Sequence, residues 1–254
     1  MPKLLFFVKE MDISLNKYIS ETGFCSRRVA DKYIDDGRVS INGKEARKGN
    51  RVKENDVVLI DGDPLKKKIL PVYIMLNKPK GITCTTDLKD KTNIIDFINY
   101  KNRIFPIGRL DKFSEGLIFL TNDGDIVNKI LRAGNGHEKE YVVTTDKSIA
   151  AEFINKMRNG IRILGTITNK CFVKQEGEKR FRIILTQGLN RQIRRMCAAL
   201  GYKVTSLKRV RIMNITLNGL APGKWRNFSV KEIEEINAMV SNSNKVADNE
   251  SMGE

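Results

Sequence analysis

Histidine is nearly absent from this chain, and its cysteines are few and far apart. The 254 residues include one histidine, His137, and four cysteines, Cys25, Cys84, Cys171 and Cys197. No two cysteines have the short spacing of a metal-binding motif, and a structural zinc site needs four close ligands, so we expect no metal site. With a single histidine, a histidine-based catalytic triad is also not expected.

Long apolar runs are missing as well. No stretch approaches the roughly 20 apolar residues of a membrane span. Residues 4–8 are apolar but short, and the acidic residues Glu10 and Asp12 follow them without the small-residue cleavage site of a secretory signal. Scattered thiols without such a signal are typical of a reducing compartment. We therefore expect a cytoplasmic protein with no membrane partner.

Acidic residues are the minority among the charged residues. Lys and Arg number 46 against 30 Asp and Glu, which gives a formal net charge of +16. The last 24 residues hold two basic and six acidic residues, so residues 1–230 carry 44 basic and 24 acidic residues. A folded body this basic favours a polyanionic partner, most simply nucleic acid, over an ordinary solvated basic surface.

Residues 12–70 have the pattern of a small α+β domain. Two short helices are predicted after the capping residues Ser14 and Ser26. Asn42-Gly43 is a strong hairpin signal, and a further strand is predicted at 57–60. The buried face of the second helix is predicted to comprise Val29, Ala30, Tyr33 and Ile34. The outer surfaces of the helices are predicted to carry Asn16, Lys17, Arg27, Arg28 and Lys32. Two guanidiniums at a helix N-terminus favour an RNA backbone, although the alternative is that they only solvate the helix.

A larger domain is predicted from about residue 71 to 240, after a charged linker at 66–68. Strands are predicted at 72–76, 116–121, 141–145, 180–186 and 212–217, and helices at 125–132, 150–159 and 190–200. This mixed order indicates an α+β sheet domain rather than a doubly wound one. Residues 241–254 are polar and acidic without periodicity, and we expect them to be disordered.

A polar, glycine-flanked loop within residues 105–117 stands between two strongly apolar stretches. Such a loop can project Arg109, Asp111 and Lys112 into a cleft while its flanks anchor in the core. The chain has no P-loop, dinucleotide fingerprint or metal cluster, so a carboxylate becomes the candidate for chemistry. The spacing alone leaves open that Asp111 is a turn or capping residue.

A second basic segment is predicted to form a helix. The residues at i, i+3, i+4 and i+7, which form its buried face, are Ile193, Met196, Cys197 and Leu200. Asn190 is predicted to cap this helix and Gly201 to end it. Arg191, Arg194 and Arg195 fall together on another face. Three guanidiniums without an acidic partner favour binding of phosphate or carboxylate over a basic solvent face.

Three motifs in order resemble those of the RsuA/RluB/RluE/RluF family of RNA pseudouridine synthases. They are Gly108-Arg109-Leu110-Asp111 with Ser114-Glu115-Gly116-Leu117, then Lys139-Glu140-Tyr141, and then Arg191-Gln192-Ile193-Arg194-Arg195-Met196. Residues 12–60 resemble the S4-like RNA-binding domain. The resemblance covers roughly residues 12–235 and implies a small S4-like domain followed by a catalytic domain with a mixed, mainly antiparallel sheet and flanking helices.

The resemblance also implies a reaction and its residues. The family isomerises a uridine without a cofactor, by breaking the C1′–N1 bond, rotating the base and joining C5 to C1′. Asp111 would be the essential carboxylate, either attacking or acting as a base, with Arg194 as its partner and Tyr141 at the uracil. Lys139 is expected to face away from Tyr141. The residues expected to contact RNA are Arg109, Leu110, Lys112, Lys139, Arg191, Gln192, Arg195, Asn16, Lys17, Arg27 and Arg28.

The expected substrate is a structured stem-loop of large-subunit ribosomal RNA, and the expected state is a monomer. A non-catalytic ribosome-associated RNA-binding protein would explain the charge and the first domain, but not the joint presence of Asp111, Tyr141 and Arg194. A nucleoside hydrolase or RNA N-glycosidase would use the same carboxylate and release free base.

Overall fold

The structure, a computed structural model, describes residues 12–66, 69–241 and 243. The described residues form two compact units that divide between Pro71 and Val72. Most of the apolar opening segment and of the acidic tail, together with residues 67–68 of the charged linker, lies outside the described residues, and the predictions for them stay predictions. No helix of the described part is long and apolar enough to cross a membrane.

The first unit packs two helices against short antiparallel strands. Its elements are β1 (Asp12–Ser14), α1 (Leu15–Glu21), α2 (Arg27–Asp35), β2 (Val39–Ile41), β3 (Lys44–Glu45), β4 (Arg51–Lys53), β5 (Val58–Ile60) and β6 (Asp63–Pro64). The hairpin between β2 and β3 turns at Asn42 and Gly43, both with positive φ, as the Asn-Gly pair predicts. Leu15, Ile19 and Val52 are among the residues that fill its core.

The helix caps of this unit follow the sequence only in part. The Ser26 hydroxyl accepts a hydrogen bond from the Val29 amide (3.2 Å) and caps α2 as predicted. Ser14 occupies the capping position of α1, but its hydroxyl donates to Asn16 instead (2.9 Å). The prediction that Val29 is buried is wrong, because its side chain is 44% exposed while Ala30 and Ile34 fill the core.

The second unit is built around one large sheet. Its elements are β7 (Tyr73–Lys78), α3 (Ile94–Ile98), β8 (Phe105–Ile107), β9 (Glu115–Thr121), α4 (Gly124–Leu131), β10 (Lys139–Thr145), α5 (Ala151–Asn159), β11 (Arg162–Ile163), β12 (Thr166–Ile167), β13 (Phe172–Gly177), β14 (Arg180–Leu185), α6 (Gln192–Ala199), β15 (Val204–Ile212), β16 (Ile215–Thr216), β17 (Trp225–Asn227) and α7 (Val230–Val240). Among the described residues, nine strands form the sheet, in the order β13-β14-β10-β15-β9-β7-β17 with β16 beside β15 and β8 beside β9.

Every pairing in this sheet is antiparallel except that of β15 with β9. The expectation of a mixed, mainly antiparallel α+β domain is therefore confirmed. At the parallel contact, Lys208 lies opposite Glu115 and Arg209 opposite Gly116. This contact joins β13-β14-β10-β15 to β9-β7-β17, so it links the two halves of the sheet.

Apolar layers cover both faces of β7 and β9. Ile118 and Leu120 pack in a cluster with Ile74, Leu76 and α3, whereas Leu117 and Phe119 pack on the other face in a cluster that includes residues of α4 and α7. A third cluster joins α5 and α6 to β10, β13, β14 and β15. Tyr141 contacts both the α3 cluster and the α6 cluster, so it marks the seam between them.

One strand prediction was inaccurate. The predicted strand at 212–217 is interrupted, because Met213 has a positive φ and the chain turns there from the end of β15 into β16. The long central strand β15 was not predicted, because basic residues interrupt its apolar residues. Helices α3 and α7 were also missed, although Ser229 and Glu232 form a capping box at the start of α7.

We expect the parallel contact to tolerate no side chain at Gly116. Its φ is +108°, and a Cβ there would lie 2.1 Å from the carbonyl oxygen of Arg209. Gly116→Ala should therefore lower the free energy of unfolding by at least about 3 kcal/mol, measured by urea unfolding. Gly124→Ala is the matched control, because no atom lies within 4 Å of the added methyl. Equal stability of the two variants would contradict the steric argument.

Candidate active site

The loop from Gly108 to Ser114 connects β8 to β9 and is anchored on both sides of Asp111. Leu110 is buried in the α3 cluster, and its amide donates to the Cys84 thiol (3.4 Å). Ser114 is buried, and its amide donates to the Asp111 carbonyl (2.9 Å), which closes a tight turn. Asp111 is therefore the first residue of a tight turn, and the residues on either side, Leu110 and Ser114, are buried.

The basic segment before and within α6 differs from its prediction at the first turn. Arg191, not Asn190, occupies the capping position, with φ of 50° in the left-handed region and no capping side chain. Asn190 instead accepts two hydrogen bonds from Arg195. Arg195 Nε donates to the Asn190 carbonyl, and Nη2 donates to the Asn190 side-chain oxygen. Arg195 is therefore folded back on its own turn, and the predicted grouping of three guanidiniums is reduced to Arg191 and Arg194.

Asp111 meets two guanidiniums. Arg191 Nη1 donates to Asp111 Oδ2 at 3.2 Å, and Arg194 Nε lies 3.5 Å from the same oxygen. Arg194 is also fixed by donation from Nη1 to the Val204 carbonyl (3.1 Å) and from Nη2 to the Ser114 hydroxyl (3.2 Å). Within the described residues, no hydrogen bond to Asp111 Oδ1 is found. One carboxylate oxygen is held by the protein while the other is available.

The carboxylate of Asp111 is only partly buried. The Asp111 side chain is 34% exposed and that of Arg191 is 50% exposed, whereas Arg194 is only 17% exposed. Arg194 Nε is buried without a hydrogen bond, because 3.5 Å is within ion-pair range but too long for a good bond. The site is therefore open to solvent, with one largely buried and fixed cation, Arg194, and one half-exposed cation, Arg191.

Tyr141 lies on β10, at the seam between the α3 and α6 clusters. Its half-buried ring packs against both, and the Arg209 guanidinium carbon is 6.0 Å from the ring centroid. Leu110 of the Asp111 loop belongs to the α3 cluster, and Ile193 of α6 belongs to the α6 cluster. Tyr141 therefore packs against the clusters that hold both segments. The structure thus brings the three predicted catalytic positions to one region of the sheet.

The expectation that Lys139 faces away from Tyr141 is wrong. The two residues are two positions apart in regular register with β14, so strand alternation puts them on the same face. Lys139 is only 7% exposed, and its Nζ donates to the His137 carbonyl (3.1 Å). Burial lowers the pKa of Lys139 to about 8, and Arg209 acts in the same direction.

Two further buried cations were not anticipated. Lys78 is fully buried at the end of β7, and its Nζ donates to the carbonyls of Pro79 (2.9 Å), Ile82 (2.9 Å) and Lys112 (3.3 Å). Burial lowers the pKa of Lys78. Arg209 is 4% exposed, and its Nε donates to the Leu117 carbonyl (2.7 Å). A lysine or arginine in a strand gives no sequence signal for burial, so the burial of these two residues was not predicted.

Some of the other residues predicted to contact RNA are exposed, and others are buried or paired within the protein. Arg109 and Lys112 are exposed beside Asp111. Leu110 and Gln192 are buried, and the Gln192 amide bonds to the Leu189 amide and to Gln187, so both side chains hold their loops. In the first unit, Arg27 and Arg28 are exposed, Lys17 pairs with Glu21, and Asn16 donates to Asp31 (2.8 Å). Across residues 12–66, 69–241 and 243, no group of three His, Cys, Asp or Glu side chains could hold a metal ion.

Comparisons with known proteins agree with these motifs. The profile of the RNA pseudouridylate synthase family matches residues 72–199, and that of the S4 domain matches residues 14–58. The dual-specificity RNA pseudouridine synthase RluF of Escherichia coli is 55% identical over 237 residues, which cover 92% of this chain and 81% of the relative. The protein of the same name from Salmonella typhi is 56% identical over 236 residues, covering 92% and 81%.

More distant relatives extend the comparison. The ribosomal large subunit pseudouridine synthase B of Bacillus subtilis is 35% identical over 234 residues, covering 89% of this chain and 96% of the relative. A crystal structure of a pseudouridylate synthase superposes with a TM-score of 0.66 at 29% identity, covering 88% of this chain and 99% of that one.

We predict that burial of the Lys139 charge lowers stability at neutral pH. Its folded-state pKa of about 8 lies below the ordinary 10.5, so the unfolded state binds the proton more tightly between these values. Stability contributed by this group therefore rises with pH across that window. Lys139→Met should raise the free energy of unfolding by about 2 kcal/mol at pH 7, allowing for the lost hydrogen bond.

The gain should shrink as the pH rises through the window between the two pKa values, as measured by urea unfolding at several pH values. Exposed Lys170→Met is the matched control for the substitution. A Lys139→Met variant that is less stable than the parent at pH 7 would show that the hydrogen bond outweighs the cost of burial.

Proposed function

This chain belongs to the RNA pseudouridylate synthase family, and from that premise we propose that it isomerises specific uridines of large-subunit ribosomal RNA with Asp111 as the catalytic carboxylate. As a pseudouridine synthase it is an isomerase that acts on RNA. The observation that carries the assignment of Asp111 is its position between Arg191 and Arg194, with Oδ2 held and Oδ1 free among the described residues.

The reaction needs no net exchange with another reactant. The C1′–N1 bond of the uridine breaks, the base rotates, and C5 joins C1′; the proton lost from C5 is balanced by one gained at N1. The Asp111 carboxylate can attack the nucleoside or remove a proton from the ribose, and its free oxygen is available for either. Arg194, fixed by two further hydrogen bonds, orients the carboxylate for this step.

Tyr141 is proposed to act on the base itself. Its ring is half buried and supported from below by two apolar clusters, which suits stacking on a uracil. Its hydroxyl can take part in the proton transfer at C5. The positive charge of Arg209, near the ring, favours negative charge that develops on the base.

RNA engagement is proposed to use both units. Arg109, Lys112 and Arg191 surround Asp111 with exposed positive charge that suits phosphates. A paired uridine must leave its stack to reach the site, at a cost of a few kcal/mol, roughly. Arg27 and Arg28, exposed at the first turn of α2, are proposed to add contacts from the S4 domain.

The choice of ribosomal RNA rests on the relatives. The Bacillus subtilis relative carries the large ribosomal subunit in its name, and the Escherichia coli relative is named a dual-specificity enzyme. We propose a structured stem-loop of large-subunit RNA as a substrate and place the protein, as a monomer, in the cytoplasm. No disulfide is found among the described residues, which supports a reducing compartment.

Asp111→Asn should abolish isomerisation while leaving RNA affinity within about threefold, because the amide keeps the size of the carboxylate but loses its charge and basicity. The measurement is pseudouridine sequencing of all cellular RNA from a deletion strain, complemented with the parent or the variant. We expect sites in large-subunit RNA to disappear on deletion and to return only with the parent.

Glu234→Gln, an equivalent change on the exposed side of α7, should restore every site. Restoration by Asp111→Asn would contradict the catalytic assignment. If the pseudouridine sites lost on deletion lie only in RNAs other than large-subunit RNA, the proposed substrate is wrong.

The two arginines should differ in their effect on turnover. Arg194→Ala should lower the single-turnover rate by about 30-fold (~2 kcal/mol), less than for a fully buried pair because Asp111 is one-third exposed. Arg191→Ala should change that rate by less than about threefold and mainly weaken RNA binding, because the side chain is half exposed and its ion pair is screened by solvent. Equal losses of rate in both variants would contradict the distinction.

A further inference from the structure

Phe113 is an exposed aromatic side chain beside the candidate catalytic carboxylate. It lies two residues after Asp111, and 70% of its surface is exposed. Other exposed aromatic side chains of this unit are covered more fully, for example Phe172 (51%) and Trp225 (37%). Single exposed apolar residues are ordinary on protein surfaces, so exposure alone carries nothing. The argument depends on where Phe113 lies and on what holds it there.

The exposure of Phe113 does not come from a loose loop. Leu110 before it and Ser114 after it are buried. The Lys112 carbonyl accepts hydrogen bonds from the Gly81 amide (2.8 Å) and from Lys78 Nζ (3.3 Å). The loop is therefore fixed on both sides of Phe113, and the ring points outward from a rigid turn.

The fully exposed charged residues of this loop are basic. Lys112 is exposed next to Phe113, Arg109 is exposed four residues before it, and the exposed Arg191 pairs with Asp111. One isolated ring among cations offers too little apolar area for a protein partner. It matches a nucleotide, since the flat face of a base stacks on an aromatic ring while phosphates meet Lys and Arg.

We propose that Phe113 stacks on a nucleobase adjacent to the target uridine and so holds the RNA strand open at the site. This inference rests on the proposed function, because it takes RNA as the occupant of the Asp111 cleft. The stacked base lies outside the reaction, so Phe113 is a substrate-positioning residue. A rigid platform suits this role, because the ring needs no ordering when RNA binds.

A single-tryptophan reporter tests the contact directly. The chain has one tryptophan, Trp225, so Phe113→Trp combined with Trp225→Phe places the only indole at the proposed platform. We expect its fluorescence to be quenched when a transcript of large-subunit ribosomal RNA is added, in parallel with binding measured by gel shift. Binding without quenching would overturn the proposal.

Substitutions separate stacking from general apolar contact. Phe113→Ala and Phe113→Leu should each weaken binding of the transcript about tenfold, because neither side chain presents a ring, whereas Phe113→Tyr should bind like the parent. Phe172→Ala, which removes an exposed ring from edge strand β13, is the matched control and should bind like the parent. Parental binding by Phe113→Leu would overturn stacking.

The Asp111→Asn variant distinguishes a failure of this inference from a failure of the proposed catalytic assignment. Asp111→Asn on the reporter background should still show the quenching but form no pseudouridine. Pseudouridine formation by that variant would contradict the role of Asp111 and leave the stacking result standing. If the parent does not bind the transcript, the fluorescence measurement is repeated with total RNA of the deletion strain. Absence of quenching with that RNA would overturn the proposal that Phe113 stacks on a base.

Discussion

The parallel contact between β9 and β15 is the constraint on which the candidate site depends. Asp111 lies just before β9, whereas Arg194 lies in α6, just before β15. The two segments are about 80 residues apart in sequence, and they meet because their following strands pair. Arg209 reinforces the junction by donating to the Leu117 carbonyl across it (2.7 Å). Gly116 permits the close approach, since any Cβ would overlap the Arg209 backbone.

An excess of buried cations lies behind the site. Lys78, Lys139 and Arg209 are each less than a tenth exposed, and their hydrogen bonds go to backbone carbonyls rather than to carboxylates. Arg209 Nη2 has no partner among the described residues. Burying these charges reduces stability, and burial lowers the pKa of both lysines, although the carboxylates of Asp111 and Glu115 act in the opposite direction on Lys78. The resulting positive interior favours negative charge that develops on a bound nucleotide, which is a reason for a chain to retain such an arrangement.

Local patterns in the sequence predicted the local structure well. Ser26 caps α2, Asn42-Gly43 turns the first hairpin, and the apolar spacing of α6 buries Ile193 and Met196 as expected. These features depend on contacts within a few residues, so a window of sequence contains their cause. The pairing of Asp111 with Arg194 was available from the sequence only through family resemblance, because nothing in the local pattern joins the two segments.

The features that the sequence could not predict depend on the path of the backbone around a side chain. Arg195 has the same local spacing as Arg194, but it folds back on Asn190 because Arg191 adopts a left-handed conformation before the helix begins. Lys78 reads as an ordinary basic residue at a strand end, yet it is fully buried because carbonyls from two separate loops converge on its ammonium group. In both cases the side chain's position follows from the conformation of the backbone around it, which residue type and spacing do not specify.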